Sequence, residues 1–389
     1  MLRTLIALSM IALTTGGASL ALRAAFPLAW SRWLRRAVIV AASATVLGFA
    51  VWRIGRALEL DVLWRIGAAV TAVFFVSVTA LFLTSPLYAV PGILLRRGQA
   101  TDPSRRAFLR NALGAVPASA AAVGPGGAVA ASLHPVLRRV EVRSAHVPAA
   151  LDGLKILQLT DVHLGAFIDV AQVRAAVEVT RPEAPDLVVL TGDIVDDFSL
   201  LPDALSAVRQ LAPPLGVFAC IGNHEIYRGR AEAERLLAEG GVRFLCNDGV
   251  VLERGGARLW LCGADDPARL GQEHRPFLEK TIARALAGCP SDVTCRVVLC
   301  HRPEGFEAAA RHGATLTLSG HTHGAQMALF GRSLFEWALP ESYLLGTYRR
   351  GESVLYTSAG LGHWFPFRLN CPCEVALITL RAAAPSTRA

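Results

Sequence analysis

The sequence predicts an α/β fold built from parallel β-α-β units and preceded by a helical transmembrane region. Three observations carry that prediction. From about residue 135 onward, short apolar runs alternate with amphipathic ones, the pattern of a sheet covered by helices. Before that point, charge-free runs lie between arginine-rich breaks, and some are long enough to cross a bilayer. In the second half, five short motifs containing Asp, Asn or His each follow an apolar run. That placement puts them at the C-terminal strand ends, where open α/β sheets bind ligands.

The charge-free runs lie between Arg3 and Arg23, Arg36 and Arg53, Arg65 and Arg96, and Arg110 and Arg138. The first three predict spans at about 4–22, 37–52 and 66–95. The second is 16 residues long and requires its flanking Arg side chains to snorkel to the headgroups. In the fourth, Ser104-Arg105-Arg106-Ala107-Phe108-Leu109-Arg110 precedes an Ala/Gly/Pro-rich stretch ending near Ser132. It resembles a twin-arginine export signal, although such signals are normally N-terminal. Residues 1–133 are therefore expected to be transmembrane helices plus a signal or anchor segment at 104–132.

Charge follows the same division. Up to Leu133 there are 13 Arg and three acids (Glu59, Asp61, Asp102), whereas the rest of the chain has 26 basic and 28 acidic residues. The net charge of +8 thus belongs to the N-terminal third. A nucleic-acid partner would need a basic stripe on the folded domain, and that domain is slightly acidic, so none is expected. No protein partner is implied. The segments 23–36, with four Arg, and 96–110, with five, are expected on the cytoplasmic side. The chain is then a multi-pass membrane protein whose domain after residue 133 faces the extracytoplasmic space.

Within 134–389, strands are expected at Leu154–Thr160, Asp186–Thr191, Val217–Ile221, Val242–Leu245, Arg258–Cys262, Arg296–Cys300, Ala314–Ser319, Val354–Thr357 and Glu374–Leu380. Helices are expected at Val170–Thr180, Leu201–Leu211, Ala231–Glu239, Pro276–Ala287 and Phe306–His312, several opening near Asp or Pro. The C-terminal part carries more strands than helices and suggests a second sheet packed on the first. None of the eight Cys falls in a ligand-like motif. Cys220, Cys262 and Cys300 read as core residues, and Cys289 and Cys295 bracket a turn across which an oxidising compartment would permit a bridge.

The motifs are Asp161-Val162-His163, Gly192-Asp193, Gly222-Asn223-His224-Glu225, His301 and Gly320-His321-Thr322-His323. Together they bring two Asp, one Asn and five His to the strand ends, enough for two metal ions and one further imidazole. A bridging carboxylate holds two cations roughly 3.5–4 Å apart in two-metal hydrolases. Neutral His and Asn ligands leave net positive charge on the pair, which lowers the pKa of a bound water and attracts phosphate. Oxygen and imidazole donors without thiolate suit Mn, Fe or Zn.

In this order the motifs resemble the calcineurin-like metallophosphoesterase superfamily over about residues 150–380. The N-terminal membrane segments, the twin-arginine-like stretch and Ser358-Ala359-Gly360-Leu361-Gly362 make the chain similar to its membrane-associated YkuE/YaeI-like branch, which often has Arg where Ala359 stands. The resemblance implies a four-layer α/β/β/α sandwich and a metal-dependent phosphoesterase acting through a hydroxide activated by two divalent metals. It assigns Asp161, His163, Asp193 and His323 to one metal and Asp193, Asn223, His301 and His321 to the other. It makes His224 a catalytic residue that stabilises the phosphoryl oxygen or protonates the leaving group, oriented by Asp196, with Asp197 beside it as the competing partner. Gln326 and His363 are candidate substrate contacts. His134, His146, His274 and His312 read as surface or loop residues.

The substrate is expected to be a phosphomonoester or phosphodiester of lipid or cell-envelope origin, hydrolysed at the outer face of the membrane. A UDP-diacylglucosamine-type pyrophosphate hydrolase is the alternative and requires the domain to face the cytoplasm. A non-catalytic metal-binding sensor is the second alternative and predicts missing ligands, whereas none is missing. Several aromatics follow the last ligand. Phe330 and Phe335 are expected in the core, and Trp364-Phe365-Pro366-Phe367 is open between core and an exposed apolar loop.

Overall fold

The computed structural model describes residues 2–97, 103–132, 134–269, 274–339, 342–363 and 365–383. They form two compact units. One comprises residues 1–132 with the short segment Phe365–Leu369, the other Leu133–Trp364 with Asn370–Ala389.

The first unit is helical: α1 (Leu2–Ala25), the short α2 (Pro27–Ala29) running through a π-helical turn into α3 (Arg35–Ala57), α4 (Asp61–Leu83), α5 (Ser85–Arg97) and α6 (Pro103–Ala131). Among the described residues, four stretches are long and apolar enough to cross a membrane: Thr4–Ala25, Pro27–Ala57, Asp61–Leu83 and Ala107–Ala131. The run expected at 66–95 is divided between α4 and α5. Ser85-Pro86 begins a new helix there, because the Pro ring removes a backbone donor and favours a helix start over continuation. The Arg-rich segment 96–110 is only partly described, since residues 98–102 lie outside the described set; Arg105 and Arg106 fall on α6. Helices α3 and α4 approach closely at small residues. A Cβ on Gly55 would lie 2.5 Å from the Trp64 backbone nitrogen, the small-residue packing that lets apolar helices associate without a hydrophobic drive. The Phe365–Leu369 segment joins this unit. The Phe365 ring lies 6.0 Å from Trp52, and the Arg368 N–H donates to the Gly127 carbonyl at 2.9 Å. Phe367 is buried and Phe365 half-buried, so the segment expected as either core or exposed loop is packed; Trp364 lies outside the described residues.

The second unit contains two six-stranded sheets. The first has the order β1 (Val136–Ser144), β14 (Glu374–Ala382), β2 (Lys155–Leu159), β3 (Leu187–Thr191), β4 (Val217–Cys220), β5 (Arg243–Phe244). The second has the order β12 (Gly346–Arg350), β13 (Ser353–Thr357), β9 (Leu316–Ser319), β8 (Cys295–Leu299), β7 (Ala257–Gly263), β6 (Asp248–Arg254). A separate hairpin pairs β10 (Ala328–Leu329) with β11 (Arg332–Ser333).

Strands β2, β3 and β4 are mutually parallel, as are β7, β8 and β9. The second sheet is built mainly from the middle of the chain, and the last strand, β14, returns to the first sheet antiparallel to β2 and parallel to β1. Alternation explains the layers. Ile156, Val189, Phe218, Leu261, Val297, Leu318 and Tyr356, drawn from both sheets, share one buried cluster. The alternate residues Leu157, Val188 and Leu190 pack with helices α7 (Val170–Thr180), α8 (Leu201–Arg209) and α10 (Arg230–Glu239), and Trp260, Cys262 and Val298 with α11 (His274–Ala287) and α12 (Phe306–Arg311). That order is consistent with the expected α/β/β/α arrangement. All eight Cys are free thiols.

Candidate metal centre

Each motif begins within two residues of a strand's C-terminal end. Asp161 follows β2, Asp193 follows β3, and Asn223 follows β4 at the start of α9 (Asn223–Arg228); His301 follows β8 and His321 follows β9. The first sheet therefore supplies three motifs and the second sheet two, so the residues converge from two sheets rather than along one edge.

The backbone at these turns is unusual. Asp161, His163, Asp193, His321 and His323 all have positive φ, between 48° and 67°. For L-residues the left-handed region costs roughly 1–2 kcal/mol each, and such strain concentrates at functional sites. Gly192 allows one close approach: with φ 81°, a Cβ there would sit 2.6 Å from His301 Nδ1.

The side chains fall into three overlapping groups whose ligand atoms lie within 4.8 Å of one another: Asp161/His163/His323, His163/Asp193/His224 and Asp193/His301/His321. Hydrogen bonds at the outer ring nitrogens decide which nitrogens face inward. His163 Nδ1 lies 3.2 Å from Asp196 Oδ2, and His301 Nδ1 lies 2.8 Å from the Thr191 carbonyl. An Nδ1–H donated to each leaves both Nε2 lone pairs aimed at the centre, the usual support of a metal-bound imidazole. His163 Nε2 then lies 3.1 Å from His323 Nε2, and His301 Nε2 lies 3.2 Å from Asp193 Oδ2. Two imidazole nitrogens this close repel unless a proton or a cation lies between them, so the donor set fits a divalent cation.

The electrostatics agree. Burial favours the neutral form of Asp161 and raises its carboxyl. Burial acts on Asp193 in the same direction, but the charge of His301 beside it outweighs this and holds Asp193 well below the usual range. Burial would lower His301, yet the Asp193 carboxylate raises it to about 10. A proton thus occupies the place where a cation would compete for the same lone pair.

Asp196 rather than Asp197 is the partner of His224. Its Oδ1 lies 2.9 Å from His224 Nδ1 and also accepts from Arg228 at 2.9 Å, while Asp197 accepts from the backbone N–H and hydroxyl of Ser199. Burial works against the Asp196 anion, but hydrogen bonds from His163 and His224 hold it far below the carboxylate range. The His224 side chain is 27% exposed, against 1% for His163 and 0% for His301, and its backbone N–H donates to Asp193 Oδ1 at 2.8 Å. Gln326 and His363 are buried near these turns, with His363 stacked on Phe167 at 5.2 Å. His134 and His312 are exposed, and His146 and His274 half-buried.

Three residues have roles that the sequence reading did not assign: Glu225, Arg302 and Asp266. Glu225 accepts backbone N–H donors from Asp193, Ile194, Val195 and Gly222, locking two motif turns together. Arg302, almost fully buried, pairs with Asp266 at 2.8 Å and donates to His321 Nε2 at 2.8 Å and Asn223 Oδ1 at 3.3 Å. Position beside His301 was the only signal for Arg302, and Asp266 carried none.

The comparisons with known proteins point the same way. A family model described as Calcineurin-like phosphoesterase matches residues 154–325. The chain is 30% identical over 293 residues to metallophosphoesterase YkuE of Bacillus subtilis, covering 72% of this chain and 98% of that one. It is 31% identical over 267 residues to a transmembrane protein with metallophosphoesterase domain from Danio rerio, covering 66% of this chain but only 60% of that longer relative. It is 32% identical over 237 residues to phosphodiesterase YaeI of Escherichia coli, covering 58% and 82%.

Proposed function

The chain belongs to the calcineurin-like phosphoesterase family, in its membrane-associated branch, and from that premise we propose that it hydrolyses a phosphomonoester or phosphodiester with two divalent cations. Asp161, His163, Asp193 and His323 hold one cation; Asp193, Asn223, His301 and His321 hold the other. The observation that carries this reading is Asp193, the one carboxylate common to the group with His163 and the group with His301 and His321. When bound, the cations supply charge for the phosphoryl oxygens and a lowered water pKa; Mn, Fe or Zn suits these donors.

The chain's own groups do the rest. With Nδ1–H held by Asp196, His224 presents Nε2 toward the partly open side of the site, where it donates to a phosphoryl oxygen or to the leaving group. Asp196 fixes that ring and His163 at once, so a single carboxylate sets the relative position of a ligand and the proton donor. The test is turnover of p-nitrophenyl phosphate and bis(p-nitrophenyl) phosphate by the detergent-solubilised full chain, chelated and then resupplied with Mn²⁺, Fe²⁺ or Zn²⁺. Turnover restored by at least one metal is expected; none with any metal sinks the reading.

The domain works on the extracytoplasmic side, supported by the Arg-rich segments 23–36 and 96–110. Alkaline phosphatase fused after residue 389 should then be active, and changing Arg105 and Arg106 to Lys should trap the domain inside. A C-terminal GFP that fluoresces, with inactive alkaline phosphatase, reverses the orientation and favours the pyrophosphate hydrolase.

A further inference from the structure

Phe330 and Phe335, expected in the core, are exposed, at 96% and 42%. They are part of a larger feature. Among the described residues of the catalytic unit, nine large apolar side chains are exposed, and five of them, Leu329, Phe330, Phe335, Trp337 and Leu339, fall within eleven residues. Scattered exposed hydrophobics need no explanation, but five of them within one short segment point to an interaction surface.

The cluster is presented, not merely left over. The turn between β10 and β11 places Phe330 at φ 50° and Gly331 at φ 77°. Two positive φ values suit Asn-Gly or Asp-Gly in a two-residue hairpin, and this chain has an almost fully exposed aromatic at the first position. The hairpin is braced: the Leu334 N–H donates to the Met327 carbonyl at 3.0 Å, the Arg332 guanidinium lies 4.8 Å over the Tyr348 ring, and the Tyr348 hydroxyl donates to Glu336 at 2.8 Å. It begins five residues after His323, on the chain that leaves the candidate metal centre.

We propose that this hairpin and the turn after it form a membrane-contact element that dips into the headgroup region of a phospholipid bilayer. Resting on the phosphoesterase reading, it makes the substrate an amphiphilic phosphoester whose apolar part stays in that bilayer. The occupant follows from two facts of this chain. Among the described residues four stretches are long and apolar enough to cross a membrane; as spans they tether the catalytic unit to a bilayer, which makes that surface the partner at the highest effective concentration. The residue types, Phe, Trp and Leu beside the exposed Arg332, which is paired with Glu336 at 3.4 Å, are those found at lipid interfaces. A protein partner is the other occupant, and the experiment separates the two.

The full chain, carrying p-benzoylphenylalanine in place of Phe330 or, separately, Trp337, is reconstituted into vesicles of phosphatidylethanolamine and phosphatidylglycerol (3:1) and irradiated. Val179, 39% exposed on α7, serves as the reference position. Lipid adducts at 330 and 337 about tenfold or more above those at 179 are expected; adducts no greater than at 179, or adducts to protein, overturn the proposal. This readout needs no turnover, so it stands or falls apart from the phosphoesterase reading. The second measurement compares p-nitrophenyl hexadecyl phosphate in the same vesicles with p-nitrophenyl methyl phosphate in solution. Phe330→Asp with Trp337→Asp should lower kcat/KM on the long-chain ester about tenfold and leave the short one within about twofold. Equal effects on both esters overturn the substrate class.

Discussion

The two sides of the candidate metal centre use the same kinds of ligand in different surroundings. Around Asp161, His163 and His323 the donor atoms face one another, and the supporting charge is the Asp196 carboxylate behind His163. Around Asp193, His301 and His321 a guanidinium intrudes. Arg302 donates to His321 Nε2 and to Asn223 Oδ1, and the charges of His301 and Arg302 add to burial in holding His321 well below its usual pKa. Asp266 neutralises Arg302 overall, yet the nearer charge at the lone pairs is positive. The difference teaches that identical residue types need not give equal surroundings: the charge supporting the first group is negative, whereas a cation beside the second would have to compete with Arg302.

The variant with the largest expected effect removes what the sides share. Asp193→Asn should lower turnover by several orders of magnitude, because one change weakens both cation positions; near-normal turnover with metal supplied would show that Asp193 does not join them. Next is His224→Ala, expected to lower kcat by roughly 10²–10⁴-fold while the chain still retains two metals. Loss of one ion on metal analysis would make His224 a ligand and shift the boundary between the sides, since its ring lies within ligand distance of His163 and Asp193. The smallest effect should sharpen the contrast. Arg302→Gln keeps a hydrogen bond to Asp266 and removes the competing charge, so the weaker of two cation affinities should tighten by about tenfold while the stronger stays unchanged. A weakened second affinity, measured by metal titration, would mean that Arg302 serves as a brace for Asn223 and His321 and not as a competitor.

The motif residues were legible because strand and ligand are adjacent in sequence. An apolar run such as Leu154–Thr160 announces a buried strand, and the next residues, Asp161 to His163, must emerge at its end. The same adjacency exposed the α/β alternation. It failed where partners are distant: β14 inserts between β1 and β2 across more than 200 residues of chain, and nothing local to Glu374–Leu380 encodes that neighbour. It also failed for Phe330, because apolar character alone does not distinguish a core residue from one offered at a surface.

By itself, then, the sequence determined the residue types at each strand end, the division between an apolar basic region and a slightly acidic domain, and the periodicities that separate strand from helix. These are local properties, set by side-chain chemistry and the two-residue and 3.6-residue repeats. Only the tertiary structure decided that Asp196 and not its neighbour Asp197 holds His163 and His224, that Arg302 meets Asp266 from 36 residues away in the chain, and that two sheets rather than one carry the motif residues. Those outcomes depend on which turn bends which way once both sheets are packed. Directed hydrogen bonds act over about 3 Å, a distance at which position in space, not separation in sequence, selects the partner.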